Sequence, residues 1–267
     1  MRGINNTKGL KMIIDTHAHI SDIKFDADRE AVLQRASDAG VGKIFEIACE
    51  VPVWDKALEL SKRDNIYVSF GIHPHEAAKA VDGDFEKLEK LLDEKKVIAV
   101  GEIGLDYHYD FSPRHVQREI FLKQLDIAIK HKKPVIIHCR SAYEELLTIF
   151  KNCRGQLPKG VIHCFSGTPE EAKQFIEMGF LLGIDGPVTF PKSDKLRAVV
   201  AETDISKLLA ETDCPYLAPQ AYRGKRNEPA YVAEVIKEIA AIKKISFDEA
   251  AEITTDNAIK LFTAINN

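Results

Sequence analysis

No apolar run of about 18 residues occurs in this chain, so no segment is built to cross a bilayer as a helix. Cysteine is sparse: Cys49, Cys139, Cys153, Cys164 and Cys214 are odd in number and form no C-x-x-C pair. That usage excludes a disulfide framework and fits reduced thiols in a cytoplasmic protein. An excess of positive charge is also missing, with 37 Lys and Arg against 41 Asp and Glu and a formal net charge of −4. A nucleic-acid partner therefore meets no general electrostatic footprint and needs a local patch. No glycine-rich phosphate fingerprint follows the first strand-like run, which counts against a doubly wound dinucleotide fold. Internal repeats, low-complexity tracts and linkers are absent too. Residues 1–11 are polar and carry no apolar h-region of a secretory signal. They are expected to be a disordered extension or cloning remnant ahead of one domain over 12–265.

What is present is enough apolar residue for a large core, 45% of 267. Eight short apolar runs alternate with helical patterns, at 12–14, 43–49, 66–72, 97–100, 134–137, 160–162, 180–184 and 208–210. The helical patterns fall at 26–39, 53–63, 85–94, 113–130, 142–151, after Thr168-Pro169, and at 196–202, with two more at 230–243 and 247–263. Strict alternation argues for a parallel sheet, and eight repeats argue for closure into a single (β/α)8 barrel with extra C-terminal helices as a cap.

Active sites of such barrels lie at the carboxyl ends of the strands. The runs here end in His17 and His19, His73, Glu102, His138, His163 and Asp213. His17 and His19 are two residues apart, so a strand presents both on one face. Taken singly, each of these residues has an ordinary structural reading, as a turn carboxylate, an N-cap or a hydrogen-bonded core histidine. Taken together, they are imidazoles and carboxylates repeated at strand end after strand end. That set suits divalent transition ions. Six ligands are too many for one tetrahedral zinc that keeps an open position, so a binuclear centre bridged by Glu102 is expected, activating a water between two ions.

These residues sit in a series of short motifs. They are Asp15-Thr16-His17-Ala18-His19, Gly71-Ile72-His73-Pro74-His75 and Gly101-Glu102-Ile103-Gly104-Leu105-Asp106-Tyr107, followed by Val116-Gln117-Arg118-Glu119 and Ile137-His138-Cys139-Arg140. His163-Cys164-Phe165-Ser166-Gly167, Glu211-Thr212-Asp213-Cys214-Pro215-Tyr216-Leu217 and Gly224-Lys225-Arg226-Asn227-Glu228-Pro229 complete the series. In this order they resemble the TatD family of metal-dependent hydrolases, within the amidohydrolase-like barrels, over nearly the whole chain. The resemblance implies a TIM-type barrel, two divalent ions (Zn, Mn or Mg) and hydrolysis of DNA phosphodiesters, often from the 3′ end of single strands. It implies that His17, His19, Glu102 and Asp213 hold one ion and Glu102, His138 and His163 the other. It further implies that Asp213 orients the hydrolytic water and takes its proton.

His73 is not needed to fill a metal shell and is expected to contact the scissile phosphate or protonate the leaving oxygen. Arg140 and the Arg223-Gly224-Lys225-Arg226 loop are the expected phosphate cations, with Lys225 and Arg226 foremost. Tyr107, Phe165 and Tyr222 stand where unpaired bases can stack. Asp185 and Glu50 depart from the pattern, placing two further acids near the rim. The partner implied is DNA, with no membrane and no obligate protein. Two competing readings keep the same residues: an esterase or amidase of the amidohydrolase type, such as a D-aminoacyl-tRNA deacylase, and a catalytically silent metal-dependent binding protein. Glu102 stands where many amidohydrolases bridge their metals with a carboxylated lysine, which favours the TatD branch.

Overall fold

The computed structural model describes residues 12–153 and 155–266; the expected extension at 1–11 lies outside them. Eight parallel strands follow one another around the sheet in chain order: β1 (Ile13–Ala18), β2 (Val41–Ala48), β3 (Ile66–Phe70), β4 (Val97–Asp106), β5 (Val135–Arg140), β6 (Gly160–Ile162), β7 (Phe180–Ile184) and β8 (Leu208–Ala210). The ring closes where β1 meets the segment after β8. Ala18 and Cys214 form a parallel bridge, the His19 N–H donates to Cys214 O at 2.8 Å, and the Asp213 N–H donates to His17 O at 2.9 Å. The helices are α1 (Arg29–Asp38), α2 (Trp54–Leu60), α3 (Asp82–Leu91), α4 (Arg114–Lys130), α5 (Tyr143–Asn152), α6 (Pro169–Glu177), α7 (Asp194–Glu202), α8 (Val232–Lys243) and α9 (Phe247–Leu261). This is the expected TIM-type barrel with additional C-terminal helices.

Three strands run further than the apolar runs alone suggest. β1 extends through His17, β4 through Asp106 and β5 through Arg140. The extension of β4 is a register effect, since Gly104, Leu105 and Asp106 pair with His138, Cys139 and Arg140. Gly104 is required for it. Its φ is +145°, and a Cβ there would lie 1.9 Å from His138 O, inside the neighbouring backbone. The polar ends of these strands are thus sheet rather than loop, and they hold the site rigidly.

Two apolar layers support the barrel. One fills the space between strands and helices; the other lies inside, where Ile14, Phe45, Ile98, Ile136, Val161 and Leu209 meet. Phe262, fully buried, packs edge-on to Phe45 with ring centroids 5.1 Å apart, so the chain after α9 plugs the floor of the barrel. Burying one such ring contributes about 1.5–3 kcal/mol. Asn257 fastens the plug by donating to the carbonyls of Ile205 (2.8 Å) and Leu208 (2.9 Å), at the start of β8. With the floor sealed, the opposite mouth is left to carry the chemistry.

Helix α4 begins at Arg114, one residue after Pro113, and Ser112 does not cap it. The Ser112 hydroxyl instead accepts from the Ala78 N–H (3.0 Å) and donates to His75 O (2.9 Å), tying the loop after β4 to the loop after β3.

Candidate metal centre

Glu102 projects from β4 into the barrel mouth and is the meeting point of four imidazoles. Its Oε1 lies 2.9 Å from His138 Nδ1, 3.7 Å from His73 Nε2 and 3.9 Å from His163 Nε2, and its Oε2 lies 3.3 Å from His17 Nε2. Asp213 faces it from the β8 side, with Oδ1 3.3 Å from His19 Nε2, 3.7 Å from His163 Nε2 and 3.8 Å from His17 Nε2. The backbone of Asp213 is left-handed, φ 57°, a conformation that aspartate tolerates better than most residues. Every imidazole and carboxylate expected at the strand ends has therefore been brought to one place.

The rings are held from behind. His19 Nδ1 lies 2.8 Å from Ile47 O, His138 Nε2 lies 3.1 Å from Asp106 Oδ2, and His163 Nδ1 lies 2.7 Å from Glu211 Oε1. The first two are hydrogen bonds that fix which nitrogen faces the centre, whereas His163 Nδ1, though close to Glu211, has no hydrogen-bond partner among the described residues. Glu211 is itself held by the Cys164 N–H at 2.7 Å, and it fits because Gly183 has no side chain; a Cβ there would fall 2.4 Å from the carboxylate. Asp106 and Glu211 were not among the residues singled out from sequence. Both follow the rule that found the others: Asp106 ends β4 on the same face as Glu102, and Glu211 is the residue after β8.

His73 differs from the other histidines. Its Nδ1 accepts the His75 N–H at 3.2 Å, so in the neutral ring the proton sits on Nε2, which points toward Glu102. A nitrogen that carries a proton donates hydrogen bonds, which favours a donor role for His73, although its ligand atom also groups with those of Glu102 and His138 closely enough to hold an ion.

The arrangement fits divalent cations on three counts. His17 is fully buried, yet among the described residues neither of its ring nitrogens has a hydrogen-bond partner. Its ring also stacks on that of His163, centroids 3.4 Å apart, a contact that two imidazolium ions would resist. Glu102, Asp106 and Glu211 are buried together, and among the described residues none of them pairs with lysine or arginine, only with imidazoles. Burial penalises such a cluster of carboxylates heavily, and cations relieve it. The titration tendencies agree. Burial alone would raise the Glu102 carboxyl, but the charges of His163 and His17 and the hydrogen bond from His138 hold it well below its usual range. Burial disfavours a charged His163, yet Glu211 and Glu102 outweigh it and lift that imidazole to about 10.

The remaining expectations are met unevenly. Asp185 is buried beside the centre, and burial, Glu211 and Asp213 push its carboxyl up to about 8. Glu50 is exposed. Arg140 and Lys225 are exposed. Arg226 is instead drawn to the α1 side, where it donates to Asp28 Oδ1 (2.7 Å), Asp28 Oδ2 (2.8 Å) and Glu228 Oε1 (3.0 Å). Phe165 is buried in the core. Tyr222 is stacked on Tyr231 at 3.7 Å, and the Tyr107 ring is covered by the Arg114 guanidinium at 4.5 Å.

A closed eight-stranded parallel barrel with clustered imidazoles and carboxylates at its mouth defines the class: a metal-dependent hydrolase of the TIM-barrel type. Comparison with known proteins narrows it. The family model for TatD related DNase matches residues 14–263. The chain is 42% identical to the uncharacterized metal-dependent hydrolase YabD of Bacillus subtilis over 94% of this chain and 99% of that protein. It is 34% identical to the 3′-5′ ssDNA/RNA exonuclease TatD of Cronobacter sakazakii, over 94% and 97%. The crystal structure of the TatD homologue YjjV from Escherichia coli superposes with a TM-score of 0.88 at 35% identity, covering 94% of this chain and 98% of that one. The chain belongs to the TatD family of metal-dependent hydrolases.

Proposed function

We propose that this protein is a divalent-metal-dependent nuclease that removes nucleotides from the 3′ ends of single-stranded DNA. The observation that carries the reading is Glu102, one buried carboxylate approached by His138, His17, His73 and His163 within 3.9 Å. The name of the Cronobacter relative supports the substrate class. His17, His19, Glu102 and Asp213 would hold one ion, and Glu102, His138 and His163 a second, with zinc, manganese or magnesium as candidates. When bound, such ions polarise phosphoryl oxygens and lower the pKa of water.

The chain's own residues supply the rest. Asp213, held ionised by His19 and His163 against the effect of its burial, orients the attacking water and accepts its proton. His73 offers its Nε2 proton to a non-bridging oxygen of the scissile phosphate, where negative charge builds up. Burial and the charge of His138 keep His73 well below its ordinary pKa, so it acts as a neutral donor rather than a proton source for the leaving oxygen. Arg140 and Lys225 provide cations for the neighbouring phosphates.

The test is a metal-reconstituted assay on end-labelled single-stranded DNA, comparing the wild type with an identically prepared Glu102→Ala variant in Mg²⁺, Mn²⁺ and Zn²⁺. Stepwise shortening by the wild type alone is expected. Equal shortening by both proteins would point to a contaminating nuclease, and none by either would favour ester or amide hydrolysis.

A further inference from the structure

Beside the metal centre lies an aromatic feature that the proposed reaction leaves unused. Tyr109 and Phe111, in the loop between β4 and α4, are 47% and 68% exposed. Their rings are nearly parallel, centroids 5.2 Å apart and 10° between planes. The Arg140 guanidinium lies 4.7 Å from the Tyr109 centroid. No ion pair of Arg140 is found among the described residues. Leaving two large rings in water is unfavourable, and burying them against a partner is favourable.

The loop that carries them is fixed. Asp106 Oδ1 accepts the His108 and Tyr109 N–H groups at 2.9 and 3.0 Å. The Gln117 amide bonds Asp106 at both its N–H (2.8 Å) and its carbonyl (2.9 Å), and reaches Ser112 O at 2.8 Å, so both ends of the loop are tied to α4. Arg114 closes the middle with two bonds to Asp110, at 2.9 and 2.8 Å. A surface already ordered before binding loses little entropy on binding.

Its position links it to the chemistry. His75 packs its ring edge-on to Phe111 at 4.8 Å and to Tyr109 at 5.5 Å, while its Nε2 lies 2.8 Å from Asp106 Oδ2. The same Asp106 oxygen holds His138. The rings are thus linked to Glu102 through three side chains, His75, Asp106 and His138.

We propose that Tyr109 and Phe111, with Arg140 against them, form a stacking platform for the unpaired nucleobase adjoining the scissile phosphate. This rests on the nuclease reading above. Flat apolar faces accept any base, and the guanidinium beside them meets the phosphate of the same nucleotide. A paired base has its faces covered by its neighbours in the duplex, so the platform selects single strands.

The experiment measures kcat/KM on end-labelled single-stranded DNA, either intact or carrying one abasic residue placed in turn at each position near the cleaved end. The proteins are the wild type, a Tyr109→Ala/Phe111→Ala double variant, and the ring-retaining Tyr109→Phe and Phe111→Tyr variants. The wild type should be slowed roughly ten- to hundred-fold by an abasic residue at the position next to the cut. The double variant should lose that discrimination and the ring-retaining variants keep it. Because both rings are solvent-exposed, their removal leaves the core intact. Discrimination that persists in the double variant, or is missing from a wild type that cuts the intact strand, overturns the platform alone. A wild type that cuts no strand with any of the three metals overturns the platform and the nuclease reading together.

Discussion

His138 is clamped between two carboxylates: Glu102 Oε1 lies 2.9 Å from its Nδ1, and Asp106 Oδ2 lies 3.1 Å from its Nε2. Asp106 orients Nε2 and leaves Nδ1 facing Glu102, an approach that a proton or a cation between them makes favourable. Burial would raise the Asp106 carboxyl, but hydrogen bonds from His138 and His75 drive it far below its usual range, so it stays charged. Asp106→Asn keeps the shape and removes the charge. It should weaken metal affinity roughly 10- to 100-fold, with turnover recovering as metal is raised. A metal titration of activity checks this; an unchanged half-saturation point would make Asp106 a mere loop anchor.

Removing metal should also cost stability. An ion at 100 times its dissociation constant stabilises the native state by about 2.7 kcal/mol. For a chain of this size that corresponds to roughly 5–10 °C in Tm. Thermal melts before and after dialysis against a chelator should show that drop, and the Glu102→Ala protein should show much less of it. Identical melts for the wild type in both states would mean that the imidazole cluster holds no ion.

The barrel was legible because its signal is repetitive: eight apolar runs, each followed by a helix, leave one economical closure. The clustered imidazoles and carboxylates were legible for a related reason, since strand ends are where a barrel exposes polar side chains. Glu102 tested the limit. In sequence it lies between glycines and looks like a turn residue, whereas in space Gly104 lets β4 continue beside His138. Arg226 shows what was not legible. Its partners Asp28 and Glu228 lie on α1's flank and two residues downstream, and only the packing of α1 against the loop after β8 brings them together. Tyr109 and Phe111 escaped notice because exposure, not residue type, makes them unusual, and exposure cannot be read from a string.

The Asp28–Arg226 contact gives stability a sign in acid. The Arg226 hydrogen bonds come first among the causes that hold the Asp28 carboxyl down to about 2, with Arg35 adding at 3.2 Å. A carboxyl lower in the folded state than in the unfolded chain stabilises above its unfolded pKa, and that gain disappears as pH falls through the folded value. The Tm gap between wild type and Asp28→Asn should therefore be constant from neutral pH to about 5 and close between about 4 and 2. A gap that persists at about pH 2 would mean that asparagine disturbs packing rather than charge.

The same pairing separates two cations that adjoin in sequence. Lys225 is exposed, whereas Arg226 is committed to carboxylates. Lys225→Ala should flatten the salt dependence of DNA binding by about one unit of slope. Arg226→Ala should instead lower Tm and leave the slope as it was. Anisotropy titrations across a salt series, paired with melts, distinguish the two roles.

His73 offers the sharpest division between holding metal and holding substrate. Because its Nδ1 accepts the His75 N–H, its Nε2 keeps a proton and points at the centre as a donor. Its loss should leave metal affinity where it was and remove one hydrogen bond to the charge that develops on phosphorus. Donors of that kind are worth roughly 100-fold in rate when they act mainly in the transition state. His73→Ala should therefore lower kcat by about that factor at saturating metal, with the metal titration midpoint unmoved. Asp106→Asn should show the opposite pattern, a shifted midpoint with recoverable kcat. If His73→Ala shifted the midpoint instead, the imidazole would be a ligand, and its contact with His75 would have to open in the metal-loaded enzyme.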